Sequence, residues 1–308
     1  MSRFHHEALL YAGWRGFLEG TLPFVSDAIA AEEPIFVAVG DDKTELLRQA
    51  LGRDARRVSF TDMRLLGDNP ARIIPAWQRF LEENACQNRP VRGIGEPVWR
   101  ERSAAEVTEC HRHESLLNLA FGGGVAWRLL CPYDLDDLSE DVIEGARRNH
   151  PFLAEDGRSR PSDAYVPGDA APGPFAGALT PPPAGAGELV FTGDATAWLR
   201  RLLGEWAAEL ELGHERTENL TLAVTELASN SVRHGGGGGT LRMWSEERTL
   251  LVEVRDRGRI EEPLAGRIRP RPEQPAGRGL WLVNHLCDLV QIRSAPTGSV
   301  VRVHMRRA

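Results

Sequence analysis

Along the first half of the chain, short apolar runs alternate with longer periodic stretches. Pro34-Ile35-Phe36-Val37-Ala38-Val39-Gly40 reads as a buried strand ending in a glycine turn, with a helix through Thr44–Leu51 behind it. Arg57-Val58-Ser59-Phe60-Thr61 predicts a second strand. The stretch 73–84, with Ile73, Ile74, Trp77, Phe80 and Leu81 on one stripe, predicts a helix. Pro90-Val91-Arg92-Gly93-Ile94-Gly95 and Ala126–Cys131 supply a third and a fourth strand. Strands that alternate with helices argue for a mostly parallel α/β sheet.

The order changes in the last third. Two helices, over 195–212 and 218–234, precede strands at Thr240–Trp244 and Thr249–Arg255. A helix through Leu280–Leu286 then leads to strands at Leu289–Arg293 and Ser299–Met305. Ala295-Pro296-Thr297-Gly298 joins that last pair as a hairpin turn. Helices followed by antiparallel strands predict an α/β sandwich.

Between the halves, residues 154–187 hold seven Pro, six Gly and eight Ala. Such a composition buries little apolar surface and favours extended backbone, so the stretch reads as an interdomain linker. The expected organisation is therefore a domain over 1–153, a linker over 154–187 and a second domain over 188–308.

The 308 residues suffice for two domains, each with its own core. Hydrophobic residues make up 42% and charged residues 26%, the balance of a globular chain. No apolar run reaches the ~20 residues of a membrane span, and Met1-Ser2-Arg3-Phe4-His5-His6 lacks a signal-peptide core, so a cytoplasmic location is expected. The net charge of −7 leaves no basic excess to neutralise phosphates, which argues against a nucleic-acid partner. Cys86, Cys110, Cys131 and Cys287 lack C-x-x-C spacing and read as reduced thiols.

Chemistry concentrates in the second half. Glu226 and Asn230 are four apart and share a helix face. An Asn oxygen suits Mg²⁺, which takes few protein oxygens alongside water and phosphates, and a Glu one turn earlier suits a general base. Asp256 closes a strand and Gly258 follows at the turn, a place where a carboxylate can accept an adenine amino group. Gly277-Arg278-Gly279 opens a helix whose N–H groups can cradle phosphates. Each motif alone reads as a polar face or an ordinary turn. Their order and the strands between them make the signal.

Residues 192–307 thereby resemble the GHKL (Bergerat-type) ATPases, and within them the bacterial anti-sigma-factor serine kinases. The resemblance implies a Bergerat α/β sandwich that binds ATP and Mg²⁺. It implies Glu226 as catalytic base, Asn230 as magnesium ligand, Asp256 and Gly258 at the adenine, and Gly277, Arg278, Gly279 and Leu280 in the phosphate loop, with Thr297 completing the nucleotide set. Arg233 and His234 lie one turn beyond Asn230, near the phosphates or at the surface. The implied partners are a sigma factor and an anti-anti-sigma (STAS-type) protein phosphorylated on Ser or Thr, in a possible homodimer. Two other readings remain. ATP acts as a switching ligand without catalysis, or the chain is an atypical sensor histidine kinase, although no long heptad pair precedes the box and His214 falls in an interhelix loop. Two features depart from the family. Ile260 stands where a second glycine is usual. The lid over 260–276 is short and carries Pro263, Pro270, Pro272 and Pro275 with Arg267, Arg269 and Arg271.

In the first half, Phe36–Gly40, Gly93-Ile94-Gly95-Glu96-Pro97-Val98-Trp99, His113-Glu114-Ser115-Leu116-Leu117-Asn118, Leu130-Cys131-Pro132-Tyr133-Asp134 and Asn149-His150-Pro151 resemble the MEDS sensory domain, named for methanogens, methylotrophs and the dichloromethane regulator. The resemblance implies a RecA-like three-layer parallel-sheet domain that modulates the ATPase. Gly40-Asp41-Asp42-Lys43-Thr44 ends like a P-loop but lacks its glycine framework, and Asp41 and Asp42 would repel phosphates. Glu96, Trp99, Glu114, Asn118 and Tyr133 are candidates for a sensory pocket. Cys110, His111, His113, Cys131 and His150 invite comparison with a metal site, but spacing does not make them converge. They read more simply as structural histidines and packed thiols.

Overall fold

The computed structural model describes residues 4–84, 90–122, 126–155, 158–167, 175–193, 196–270 and 277–307. The chain divides into two compact units, Met1–Ala171 and Pro172–Ala308. Cys86, Arg271, Pro272 and Pro275 lie outside the described residues, as do the middle of the 154–187 stretch and the first residue of the helix expected over 195–212.

The first unit runs β1 (Phe4–Tyr11), α1 (Gly13–Ala30), β2 (Ile35–Val39), α2 (Asp41–Leu51), β3 (Ser59–Asp62), α3 (Met63–Leu66), α4 (Ile73–Asn84), β4 (Val91–Gly95), α5 (Ala104–Phe121), β5 (Trp127–Asp134), α6 (Glu140–Asn149), β6 (Phe152–Glu155) and β7 (Arg158–Pro161). Seven strands form one sheet in the order β3-β2-β4-β5-β1-β6-β7. All neighbours are parallel except the β6–β7 hairpin. The sheet is therefore the mostly parallel one that strand–helix alternation predicts. Its core includes Phe17, Val25, Ile35, Val37, Val39, Leu47, Ile94 and Leu130.

Two elements of this unit are less apolar than their burial. β1 carries His5, His6 and Glu7, yet His6 and Glu7 are 1% and 3% exposed. α5 starts at a capping box, in which Ser103 and Glu106 each satisfy the other's backbone N–H. The helix then buries Glu109, Cys110, His113 and Glu114.

The second unit runs β8 (Gly187–Thr192), α7 (Thr196–Glu209), α8 (His214–His234), β9 (Gly238–Glu246), β10 (Thr249–Asp256), α9 (Arg278–Leu286), β11 (Leu289–Ala295) and β12 (Gly298–Arg306). Its five strands are all antiparallel, in the order β11-β12-β10-β9-β8. One sheet face, with Leu250, Val252, Val254, Val301 and Val303, shares a core with Leu199, Leu203, Leu220, Val224, Leu227 and Val283 of the helices. The stripe expected on α8 thus faces the core. On the other face Glu253 and Arg302 pair at 2.6 Å, and the guanidinium stacks on Trp244.

Both ends of the 154–187 stretch are packed structure. β7 pairs with β6, and the Val166 N–H donates to the Arg148 carbonyl. Phe175 is buried in the second core, and the Thr180 carbonyl accepts from Arg302 at 2.7 Å. Edge pairing and one buried aromatic supply contacts that a Pro/Gly/Ala count does not register.

Candidate functional site

The C-terminal half of α8 and the first turn of α9 meet at two polar residues. Glu226 and Asn230 project from one face of α8. Asn230 Oδ1 accepts from Arg233 Nη2 at 3.2 Å. Gly277, left-handed at φ 90°, caps α9 without a side-chain bond. Gly279 then approaches α8 so closely that a Cβ there would lie 2.9 Å from Asn230 Nδ2 and 3.2 Å from Glu226 Oε2. The first N–H groups of α9 have no partner within the helix, and the glycines keep side chains out of their way.

At the other end of the site, Asp256 terminates β10. Its Oδ2 accepts from Ser231 Oγ at 2.6 Å, and its Oδ1 from the Gly258 N–H at 2.8 Å and Ser299 Oγ at 3.0 Å. A carboxylate offers about four acceptor sites. Three are occupied by protein, so the group is fixed in orientation and keeps one site for an incoming N–H donor. Gly258 leaves space beside it, since a Cβ there would lie 2.6 Å from the His234 carbonyl oxygen.

Between these two ends is a cavity of about 590 Å³, lined by Asn230, Asp256, Ile260, Ala265, Gly279 and Val301 among others. It falls within the usual ~300–1,000 Å³ of small-molecule sites and combines apolar walls with a few polar groups. Ile260, at the position of the departing glycine, packs toward the core while its N–H donates to Ser294 Oγ at 2.9 Å. The Asp256 end of the cavity thereby gains an apolar wall and remains open. The rim from Glu261 to Pro270 supplies one more wall.

The cavity gathers Asn230, His234, Asp256, Gly258, Gly277, Gly279 and Leu280 of the expected residues. Glu226 and Arg233 adjoin it through Gly279 and Asn230. Arg278 is exposed and does not line it. Thr297 does not line this cavity: it sits in the exposed β11–β12 turn and lines a neighbouring recess with Gly177, Arg255 and Arg293. The residue on the Asp256 side of that hairpin is Ser299, the direct register partner of Asp256. Ser299 and Ser231 were not singled out from sequence, although counting the register back from the hairpin turn finds the first. Arg267 is a correction. It is 6% exposed, so it presents no free positive lid charge, whereas Arg269 is exposed at the cavity.

In the first unit the sensory candidates separate into two places. Glu96 and Trp99 line a recess of about 340 Å³ at the C-terminal ends of the parallel strands, with Lys43, Asp42, Asp134 and Asp136. Glu96 is buried and accepts from Lys43 Nζ and, at 3.2 Å, from Tyr11 Oη. Burial raises the Glu96 pKa, and Lys43 opposes that rise. Glu114, Asn118 and Tyr133 belong to a separate buried cluster instead. There, contrary to the sequence expectation, Cys131 and His150 do converge, together with His6 and Glu114. Cys110 points away from it, its thiol on the Pro97 carbonyl.

Comparison with known proteins bears on both units. Residues 5–151 match the family model of the methanogen/methylotroph, DcmR sensory domain (MEDS), and residues 191–305 match that of the histidine kinase-like ATPase domain. An anti-sigma F factor of Clostridium acetobutylicum is 27% identical over 107 residues, which is 32% of this chain and 75% of that protein. The crystal structure of the RsbU and RsbW domains of a Mycobacterium tuberculosis protein aligns at 21% identity with a TM-score of 0.30. It covers 39% of this chain and 32% of its own, so the chain spans about a third of that structure. Among the described residues no helix is long and apolar enough to cross a membrane.

Proposed function

The chain joins a MEDS domain to a histidine kinase-like ATPase domain, and from that pairing we propose that it is an ATP-dependent anti-sigma regulatory kinase. In this reading it binds Mg²⁺–ATP and a sigma factor, and it phosphorylates an anti-anti-sigma protein on Ser or Thr. The N-terminal domain biases which partner is held by shifting a two-state population. The match to an anti-sigma F factor supports the class of partner.

The observation that carries the reading is the convergence of Glu226, Asn230 and the Gly279 backbone at one end of a cavity whose other end is the triply held Asp256. Adenine would meet the remaining acceptor site of Asp256 against Ile260 and Val301. The phosphates would then reach the first turn of α9, where backbone N–H groups and the helix dipole favour anions. Asn230 Oδ1 would be the protein ligand for Mg²⁺, which would neutralise phosphate charge. Arg233 holds that amide in place. Glu226, one helical turn from Asn230, would accept the proton of the attacking hydroxyl, so that catalysis rests on positioning and charge.

The test is a transfer assay with purified chain, Mg²⁺–ATP and a candidate STAS-type substrate, comparing wild type with Glu226→Gln. The expected result is acid-stable phosphoserine or phosphothreonine made by wild type and lost by ~10²-fold or more in the variant, with ATP affinity unchanged. ATP binding without transfer would leave an ATP-switched binding regulator. An acid-labile phosphohistidine would make the chain a histidine kinase.

A further inference from the structure

We propose that the N-terminal domain holds one divalent transition-metal ion of the zinc class, ligated by His6 Nε2, Glu114, Cys131 Sγ and His150 Nε2. The ligand atoms of these four residues all lie within 4.8 Å of one another. His6 and His150 Nε2 are each 3.0 Å from Glu114 Oε2, and Cys131 Sγ is 3.4 Å from His6 Nε2. Bond lengths of 2.0–2.3 Å place the ligand atoms of a tetrahedral zinc site roughly 3.3–3.8 Å apart. The side chains already stand near that spacing.

Four separate elements bring them together. His6 lies on β1 and Cys131 on β5. In the register of that parallel pair, His6 faces Leu129 and Ala8 faces Cys131, so the two ligands are diagonal neighbours on one sheet face. Glu114 comes from α5, and His150 is the residue that ends α6.

The outer contacts fix which imidazole atom is available. His150 Nδ1 is 2.8 Å from the Ala146 carbonyl oxygen, which can only accept, so Nδ1 carries the proton. His6 Nδ1 is 3.0 Å from Asn118 Oδ1. Asn118 Nδ2 is committed as donor to the Asn149 carbonyl at 2.8 Å, which fixes the oxygen toward His6. In its neutral form each ring therefore turns a bare Nε2 lone pair toward the Glu114 carboxyl. That is how metal-bound histidines are oriented, with the remote N–H held by an oxygen.

Without an ion the arrangement is incomplete. With neutral rings, both Glu114 carboxyl oxygens and His150 Nε2 are buried without a hydrogen bond, and the facing lone pairs stand 3.0 Å apart. The His6, His150 and Glu114 side chains are 0–1% exposed, so no solvent relieves them. Leaving such groups unpaired is costly. A divalent ion satisfies all four at once, and a carboxylate with a thiolate cancels its two charges. Thiolate and imidazole ligands select zinc-class ions over Mg²⁺ or Ca²⁺. Four protein ligands close the coordination sphere, as in a structural site that ties α5 and the end of α6 to the middle strands.

The test uses the full chain, purified nucleotide-free without chelator and analysed for metal. One zinc per chain is expected. Exchange for Co²⁺ should give intense tetrahedral visible bands and a thiolate-to-cobalt charge-transfer band. Cys131→Ser should abolish the charge-transfer band, and Glu114→Gln should weaken retention. Cys110→Ala and Asn230→Ala, one a thiol outside the cluster and the other at the nucleotide cavity, should leave the spectrum unchanged. Because a ligand variant can fail to fold, wild type is also stripped and titrated: Zn²⁺ should raise the Tm and Mg²⁺ should not. Wild-type protein that takes up no Zn²⁺ and shows no cobalt spectrum would overturn the proposal. So would a charge-transfer band that survives in Cys131→Ser.

Discussion

Gly279 and Asn230 are in such close contact that a methyl group on Gly279 would lie 2.9 Å from the Asn230 amide nitrogen. In an ordinary helix Gly→Ala is stabilising by about 1 kcal/mol. Here the new methyl must displace Asn230 and Glu226, which stand 2.9–3.4 Å from its position. Gly279→Ala is therefore expected to leave thermal stability within about 1 kcal/mol while weakening Mg²⁺–ATP binding about tenfold or more, about 1.4 kcal/mol. Calorimetric titration beside a thermal melt measures both. An unchanged Kd would mean that the phosphates do not pass between α9 and Asn230.

Ser299 gives a second test of the same cavity. Its hydroxyl donates to Asp256 Oδ1, the oxygen that also accepts from the Gly258 N–H. A hydrogen bond to a charged group contributes about 1.5–3 kcal/mol. Ser299→Ala should lower stability by about 1 kcal/mol, because two other donors still hold Asp256, and should weaken ATP binding modestly. Asp256→Asn keeps the shape but presents donors where acceptors are needed, and should weaken ATP binding about tenfold or more. If Asp256→Asn bound ATP normally in the titration, the adenine assignment would be wrong.

These residues also mark what the sequence made legible. The E-x-x-x-N box, the Asp–Gly turn and the α9 glycines are local patterns, and each lies in or beside the cavity. Ser299 needs a strand register, so it appears only once β10 and β12 are paired. β1 escaped for a different reason. His6 and Glu7 interrupt its apolar run, yet both are buried: His6 meets polar partners from α5 and β5, and Glu7 meets His5 of its own strand. The His6–Glu114–Cys131–His150 cluster draws on positions up to 144 residues apart along the chain, and no spacing rule reaches across four elements. β8 was hidden by the Pro/Gly/Ala stretch that runs into it, although it pairs with β9 along its length.

Lys43 offers a pH test in the first unit. It pairs with buried Glu96, whose pKa is raised by burial and held down in part by Lys43. An acid with a raised folded pKa binds its proton more tightly when folded, so its contribution favours folding at low pH. That contribution is lost as pH rises through the folded pKa. Removing Lys43 raises the folded pKa further. Lys43→Ala is thus expected to cost little near pH 4 and about 3 kcal/mol at pH 7.5, where an unpaired buried carboxylate must be ionised or bind a proton. Urea midpoints at the two pH values check this. An equal loss at both would show that packing of the Lys43 stem over Tyr11 and Phe17, not its charge, is what counts.

The sheet face away from the second core holds a buried ion pair. Arg302 donates twice to Glu253 Oε2, at 3.1 and 2.6 Å, and once to the Thr180 carbonyl. The two side chains are 6% and 0% exposed. Such a pair is a weak source of net stability, because desolvation of both charges offsets their attraction, but breaking one side leaves a buried charge. Arg302→Met should cost about 3–5 kcal/mol, since Glu253 is then left with Arg255, whose side chain is 44% exposed. The double variant Glu253→Leu/Arg302→Met should recover most of that loss, because Leu251 and Trp244 already make this face partly apolar. Denaturant unfolding of the single and double variants gives the coupling energy directly. A double variant as unstable as Arg302→Met alone would place the cost in the lost contact with Thr180, and so in the docking of the segment after Phe175, instead of in the ion pair.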